Sequence, residues 1–304
     1  MSARRALRAA RAVLGPDVGA PHRLAAGRSC EAFGVVARGE EYVVRVPVVG
    51  TDRSIRFRAE ATIGDALADR GHPVARWAVV DVDGVACAVG RRLPGVPVDG
   101  SAPWTTGFST GFSAGLGRLL ADLHAVPANG FGPLIDTGVD DAGALRGEAG
   151  SAREGVLRRW CWARCWPFDD VGLADHPVSH LGRDVVPRLP PSGDVLDAAG
   201  GPVGVVHSDL HREHLLVGPT GDLTGVLDFG DAFVGAVAWD VALLHWYYGA
   251  RAAADVARHD PGGQDALERA RLLAVAVGLY KLAKNPADPQ VPVRLARVLD
   301  DVRA

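Results

Sequence analysis

The run Val205-Val206-His207-Ser208-Asp209-Leu210-His211-Arg212-Glu213-His214-Leu215-Leu216-Val217 constrains this chain more than any other feature. Its apolar ends read as short strands. Between them lies a loop crowded with titratable groups. A second apolar run, 223–227, ends in Asp228-Phe229-Gly230-Asp231. A carboxylate and an imidazole on neighbouring strands can each give one ligand to a hard divalent cation that keeps its waters. Asp209 would then be free to act on a hydroxyl.

A chain of 304 residues has room for two domains, or for one fold with two lobes. Its 48% hydrophobic content fits buried cores and excludes disorder. Lys plus Arg is 33 and Asp plus Glu is 36, a net charge of −3, which excludes a strongly basic nucleic-acid binder. The cysteines Cys30, Cys87, Cys161 and Cys165 form no CxxC pair, and reduced thiols in a cytoplasmic protein are expected. The N-terminus reads as an amphipathic helix closed before Pro16 and lacks the apolar core of a signal peptide, although a mitochondrial presequence would also be Arg-rich. No stretch approaches a membrane span. Lysine occurs only at 281 and 284, so any earlier cationic role falls to arginine or histidine.

Short strands are expected at 32–37 and 42–48 around an Arg38-Gly39-Glu40-Glu41 turn, after a small-residue loop at 25–30. A helix is expected over 54–70 with Gly71 as its stop. Strands at 74–80 and 85–89 would meet at Asp83-Gly84. The Pro/Gly-rich segment 91–97 reads as a hinge. Helical spacing returns at 110–124, 237–248 and 266–282. Residues 127–200 carry no clear pattern. The division implied is a nucleotide-binding lobe, 1–92, and a catalytic and acceptor-binding lobe, 93–304.

His207-x-Asp209-x-x-x-x-His214 followed by Asp228-Phe229-Gly230 resembles the catalytic core of protein kinases, H-R-D-x-x-x-x-N and D-F-G. More closely, HSDLHREHLL resembles the aminoglycoside-phosphotransferase superfamily, which reads H-G-D-L-H-x-x-N and then I-D-W or I-D-F. His214 at the Asn position resembles the macrolide 2′-phosphotransferase branch. Leu123-His124-Ala125-Val126-Pro127, Leu93-Pro94-Gly95 and Tyr42-Val43-Val44-Arg45-Val46-Pro47 match further family segments, so the resemblance spans residues 20 to 250. It implies a bilobal α+β protein-kinase-like fold, with a small β-rich N-lobe and a larger, mainly helical C-lobe. It also implies Mg²⁺, with GTP or ATP as phosphoryl donor.

Carried onto this sequence, the resemblance makes Asp209 the catalytic base. Asp228 and His214 become the metal ligands, although hard cations prefer oxygen to imidazole. His207 and Asp240 would brace the loop. Arg45, paired with Glu60, would replace the kinase lysine, because an Arg fork can hold phosphate oxygens bidentately. Gly27, Ser29 and Leu93 complete the nucleotide set, although the loop lacks G-x-G-x-x-G.

An aminoglycoside carries several ammonium groups and needs a carboxylate-lined site. A macrolide is bulky and mostly apolar, with one amine. Asp231, Trp162, Trp166, Trp246 and Tyr247 are the expected acceptor contacts, and they favour the macrolide. The expected protein is a cytoplasmic monomer that binds nucleotide and macrolide and no nucleic acid or membrane. Blander readings stand beside these. His207 and His211 fit ordinary loop or core histidines, Arg45–Glu60 fits a surface pair, and the tryptophans fit plain core. A kinase for another small alcohol or an aminoglycoside, a non-catalytic kinase-like binding protein, and a metal hydrolase built on His207, Asp209, His211 and His214 are the rivals.

Overall fold

The computed structural model describes residues 2–26, 29–48, 55–98, 108–136, 139–160, 194, 197–285 and 287–303. The N-terminal part opens with helix α1 (Ser2–Leu14), followed by strands β1 (His22–Ala26), β2 (Cys30–Ala37) and β3 (Glu40–Pro47). Helix α2 (Phe57–Ala68) intervenes before β4 (Trp77–Asp81) and β5 (Ala86–Arg91). These strands form an antiparallel sheet in the order β1-β2-β3-β5-β4. Both expected hairpins form at backbone positions with positive φ: Arg38 and Gly39 turn β2 into β3, and Asp83 and Gly84 join β4 to β5. Two successive residues with φ above zero match the right-handed twist of the flanking strands. Strand β1 reaches into the segment expected to be loop.

Helix α1 lays Ala6, Ala9 and Ala10 on the sheet, against Phe33, Val35, Val44, Val46 and Val89. Helix α2 does not join that core. Its Ala59, Ile63 and Leu67 belong to the second, larger core, together with Leu116, Leu120 and Phe229. The two parts of the molecule are thus tied by α2 as well as by the connecting chain.

That connection is β6 (Val96–Pro97), which follows Gly95 at φ +102°. It pairs with β11 (Leu215–Val217) in a three-stranded sheet. Then come helix α3 (Thr110–His124), capped by the Ser109 hydroxyl, strands β7 (Ala128–Asn129), β8 (Phe131–Leu134) and β9 (Leu145–Ala149), and helix α4 (Ala152–Trp160). Strand β10 (Val203–Val206) leads through the polar loop into β11, followed by β12 (Leu223–Val226) and β13 (Phe233–Ala236). The chain closes with α5 (Ala238–Tyr248), α6 (Ala250–Ala257), α7 (Pro261–Lys284) and α8 (Gln290–Arg303).

The C-terminal part is mainly helical, as expected, and carries sheet as well. Its five-stranded sheet runs β10-β13-β8-β9-β7. The segment 128–149, unreadable in sequence, supplies three of those strands. Helix α7 begins earlier than expected, because Asp260 caps it and Pro261 starts its first turn. Buried residues lie all round it, as suits a helix enclosed by others.

Candidate active site

Asp209 and His214 follow β10, and Asp228 follows β12. Two residues hold unusual backbone geometry. Ser208 has φ 64° and Asp228 has φ 63°, in the left-handed region that non-glycine residues avoid. The surroundings maintain both. Buried Asp240 of α5 accepts the amide hydrogens of His207 and Ser208, each at 2.9 Å. The Ser208 hydroxyl donates to the Asp231 carbonyl at 2.6 Å. His207 donates from Nε2 to the Leu227 carbonyl at 2.9 Å and accepts the Asp209 amide at Nδ1, so its ring ties the two loops together. Burial lowers the pKa of His207, consistent with this neutral tautomer. His207 and Asp240 therefore brace the loop.

Asp240 is itself held. His124, at the end of α3, lies 3.1 Å from Asp240 through Nε2 and 3.1 Å from Asp260 through Nδ1. Burial opposes its charge, yet the two carboxylates push its pKa up to about 9.

The imidazole of His214 stands between the two site carboxylates. Its Nδ1 lies 2.8 Å from the Asp209 backbone carbonyl, which can only accept, so Nδ1 carries the hydrogen. Its Nε2 faces Asp228, 3.5 Å from Oδ2. His211 accepts the Glu213 amide at Nδ1, which leaves Nε2–H facing Asp209 Oδ2 at 3.6 Å. Burial, and then His214, lower the pKa of His211 to about 4, so it is neutral near pH 7. Asp209, His211 and His214 cluster closely enough to suggest a metal site. These tautomers instead point N–H groups at Asp209. The donor pair left for a cation is His214 Nε2 with Asp228, and it fits a divalent ion that retains water.

Arg45 of β3 reaches the same place. Its Nη1 lies 2.6 Å from both oxygens of Glu60, and Nη2 lies 3.0 Å from Asp228 Oδ1. Glu60 is 2% exposed and Arg45 16%, so this is not a surface pair. Burial works against the Arg45 charge, but Glu60 and then Asp228 raise its pKa well above the ordinary value. Burial likewise opposes the Asp228 charge, and Arg45 followed by His214 holds that carboxyl well below the usual range.

These groups line one cleft of about 1280 Å³. Its lining includes a largely apolar set, Ser29, Val43, Trp77, Leu93 and Leu216. It also includes Asp231, Trp246, Tyr247, Tyr280, Lys281, Lys284 and Arg294. Trp246 is 1% exposed and packs toward Gly278, so it forms floor more than wall. Tyr247 takes the Lys281 ammonium over its ring at 5.3 Å and the Arg294 guanidinium at 5.6 Å. Gly27, Trp162 and Trp166 lie outside the described residues. Sequence reasoning missed Lys281, Lys284 and Arg294 as site residues. The signal available was that both lysines fall in the last turn of one long helix.

A family model described as a phosphotransferase enzyme family, APH, matches residues 22–273. The chain belongs to the phosphotransferase enzyme family. Among solved structures, a thermostable mutant of aminoglycoside phosphotransferase APH(4)-Ia in ternary complex with AMP-PNP and hygromycin B is 18% identical, with TM-score 0.64 and 97% of each chain covered. Choline kinase LicA from Streptococcus pneumoniae is 16% identical, TM-score 0.58, over 97% of this chain and 96% of that one. Macrolide 2′-phosphotransferase MphH from Brachybacterium faecium, as apoenzyme, is 19% identical, TM-score 0.54, over 96% of both. These likenesses are of fold: the bilobal, kinase-like α+β architecture. No curated relative matches the chain. No helix among the described residues is long and apolar enough to cross a membrane.

Proposed function

We propose that this phosphotransferase is an antibiotic-resistance kinase, moving the γ-phosphoryl group of GTP or ATP to the 2′-hydroxyl on the amino sugar of a macrolide. The observation that carries the kinase reading is His214, whose Nδ1 meets the Asp209 carbonyl while its Nε2 faces the Asp228 carboxylate. In this reading residues 1–92 bind nucleotide and residues 93–304 carry the catalytic and acceptor groups, in a cytoplasmic monomer.

Asp209 takes the proton of the acceptor hydroxyl. Asp228 and His214 would hold Mg²⁺, which would neutralise phosphate charge when bound. Arg45, fixed by Glu60, aligns the phosphates. The apolar lining with Ser29 and Leu93, preceded in the chain by Gly27, takes the base and sugar. Positioning and charge neutralisation supply most of the rate.

For the acceptor, Asp231 meets the single amine, while Tyr247 and Trp246, with Trp162 and Trp166, cover the apolar ring. Lys281, Lys284 and Arg294 in the cleft lining oppose a polycationic aminoglycoside.

The test is Mg²⁺-dependent phosphate transfer, with ATP and GTP separately, against erythromycin, a 16-membered macrolide, kanamycin and no acceptor. Macrolide-dependent turnover supports the proposal. Turnover with kanamycin alone overturns the acceptor assignment, and nucleotide binding without turnover on any of these acceptors overturns it in favour of another small alcohol or a non-catalytic binding protein. Asp209→Ala should lower transfer by at least about 10³-fold while nucleotide affinity stays within about threefold. Parallel loss of both would contradict the role of Asp209.

A further inference from the structure

We propose that Lys281, on the last turn of α7, is a catalytic residue that binds the phosphoryl group in flight. This rests on the kinase reading of the cleft. The Lys281 ammonium lies 3.8 Å from Asp209 Oδ1, too far for a hydrogen bond and close enough for strong attraction. It is also fixed in place. Its charge sits over the Tyr247 ring at 5.3 Å and the Tyr280 ring at 5.8 Å. Both lysine and carboxylate are 21% exposed, so the pair faces the cleft while partly withdrawn from water.

The need for a cation there follows from charge. The acceptor oxygen is generated beside Asp209, so the transferring group must approach a carboxylate while carrying negative charge on three oxygens. Arg45 serves the nucleotide phosphates from its place between Glu60 and Asp228. The exposed Arg212 does not line the cleft. Lys281 does, from the Asp209 side.

In the reaction, the acceptor O–H proton passes to Asp209 and its oxygen forms a bond to the γ-phosphorus. The bond from that phosphorus to the β,γ-bridging oxygen breaks, and its electron pair leaves with the nucleoside diphosphate. Lys281 keeps its protons throughout and donates hydrogen bonds to equatorial phosphoryl oxygens. It therefore discriminates a triphosphate from a diphosphate, and the transition state from both.

The experiment compares wild type, Lys281→Met and Lys281→Arg. Calorimetry with Mg²⁺ measures binding of a non-hydrolysable triphosphate analogue and of the diphosphate. Steady-state kinetics measure kcat with the best acceptor from the panel. Lys281→Met should weaken the triphosphate analogue about fivefold or more while diphosphate affinity changes less than twofold. Its kcat should fall about 10²-fold or more, and Lys281→Arg should recover much of the loss. Circular dichroism and thermal melting confirm that the variants are folded.

Equal change in both nucleotide affinities, or kcat within threefold of wild type, overturns the assignment. The binding comparison needs no acceptor. If wild type transfers phosphate to nothing yet Lys281→Met loses selectivity for the triphosphate, the acceptor reading fails and the phosphoryl role of Lys281 stands.

Discussion

Replacing Glu60 with Gln keeps the shape of the side chain and removes its charge. Glu60 is 2% exposed and Arg45 16%, so water cannot replace what is lost. Hydrogen bonds involving a charged group contribute roughly 1.5–3 kcal/mol and neutral ones roughly 0.5–1.5 kcal/mol. Both Glu60 oxygens lie 2.6 Å from one Arg45 nitrogen, so Glu60→Gln weakens a single strong two-centre contact. The expected loss is about 1–2 kcal/mol of unfolding free energy. It stops short of the roughly 3–5 kcal/mol for a stranded buried charge, because Arg45 retains Asp228. At about 2.1 cal/mol/K per residue over 304 residues, a loss of about 1.5 kcal/mol lowers Tm by about 2 °C. Arg45→Met strands Glu60 itself and should cost about 3–5 kcal/mol. Urea unfolding followed by tryptophan fluorescence reads these as shifts in midpoint at constant slope. The order of stability should be wild type, Glu60→Gln, Arg45→Met. Midpoints indistinguishable among the three would refute the buried pair and return it to an ordinary surface contact.

Two further outcomes test the scaffold. His124 has a folded pKa of about 9 against an ordinary 6.5, so the stability it contributes is fully present below 6.5 and disappears as pH rises through 9. That rise corresponds to about 3 kcal/mol. His124→Asn should flatten stability between pH 6 and 9.5, measured by urea midpoints, and an unchanged slope with pH would place the charge elsewhere. Gly95→Ala at φ +102° would also drive its Cβ against Thr224 Oγ1 and the Val217 carbonyl. It should cost roughly 2–4 kcal/mol, whereas Gly84→Ala, with nothing within 4 Å, should cost less than half as much.

The polar loop was legible because its residues are local. His207, Asp209 and His214 lie within one loop and Asp228 ends the next strand pair, and the motif resemblance joined Asp228 to them. The Arg38-Gly39 and Asp83-Gly84 hairpins were legible for the same reason, since turn backbone is set by the residues in the turn. Strands β8 and β9 were not. Phe131-Gly132-Pro133-Leu134 carries a positive-φ Gly and a Pro, both poor strand residues, yet β13 and β9 pair with it from either side. Gly147 is needed in β9 because a side chain there would collide with the Phe131 backbone.

The sequence by itself determined the crowding of titratable groups in one loop, the hairpins and the long helices, all features written within a few residues of one another. Only the tertiary structure decided which nitrogen of His214 faces Asp228, that Arg45 bridges Glu60 and Asp228, that α2 packs into the second core, and that Lys281 arrives beside Asp209 from another helix. These depend on contacts between residues far apart in the chain. Their geometry is set by packing and by carbonyl and amide partners that no local pattern encodes.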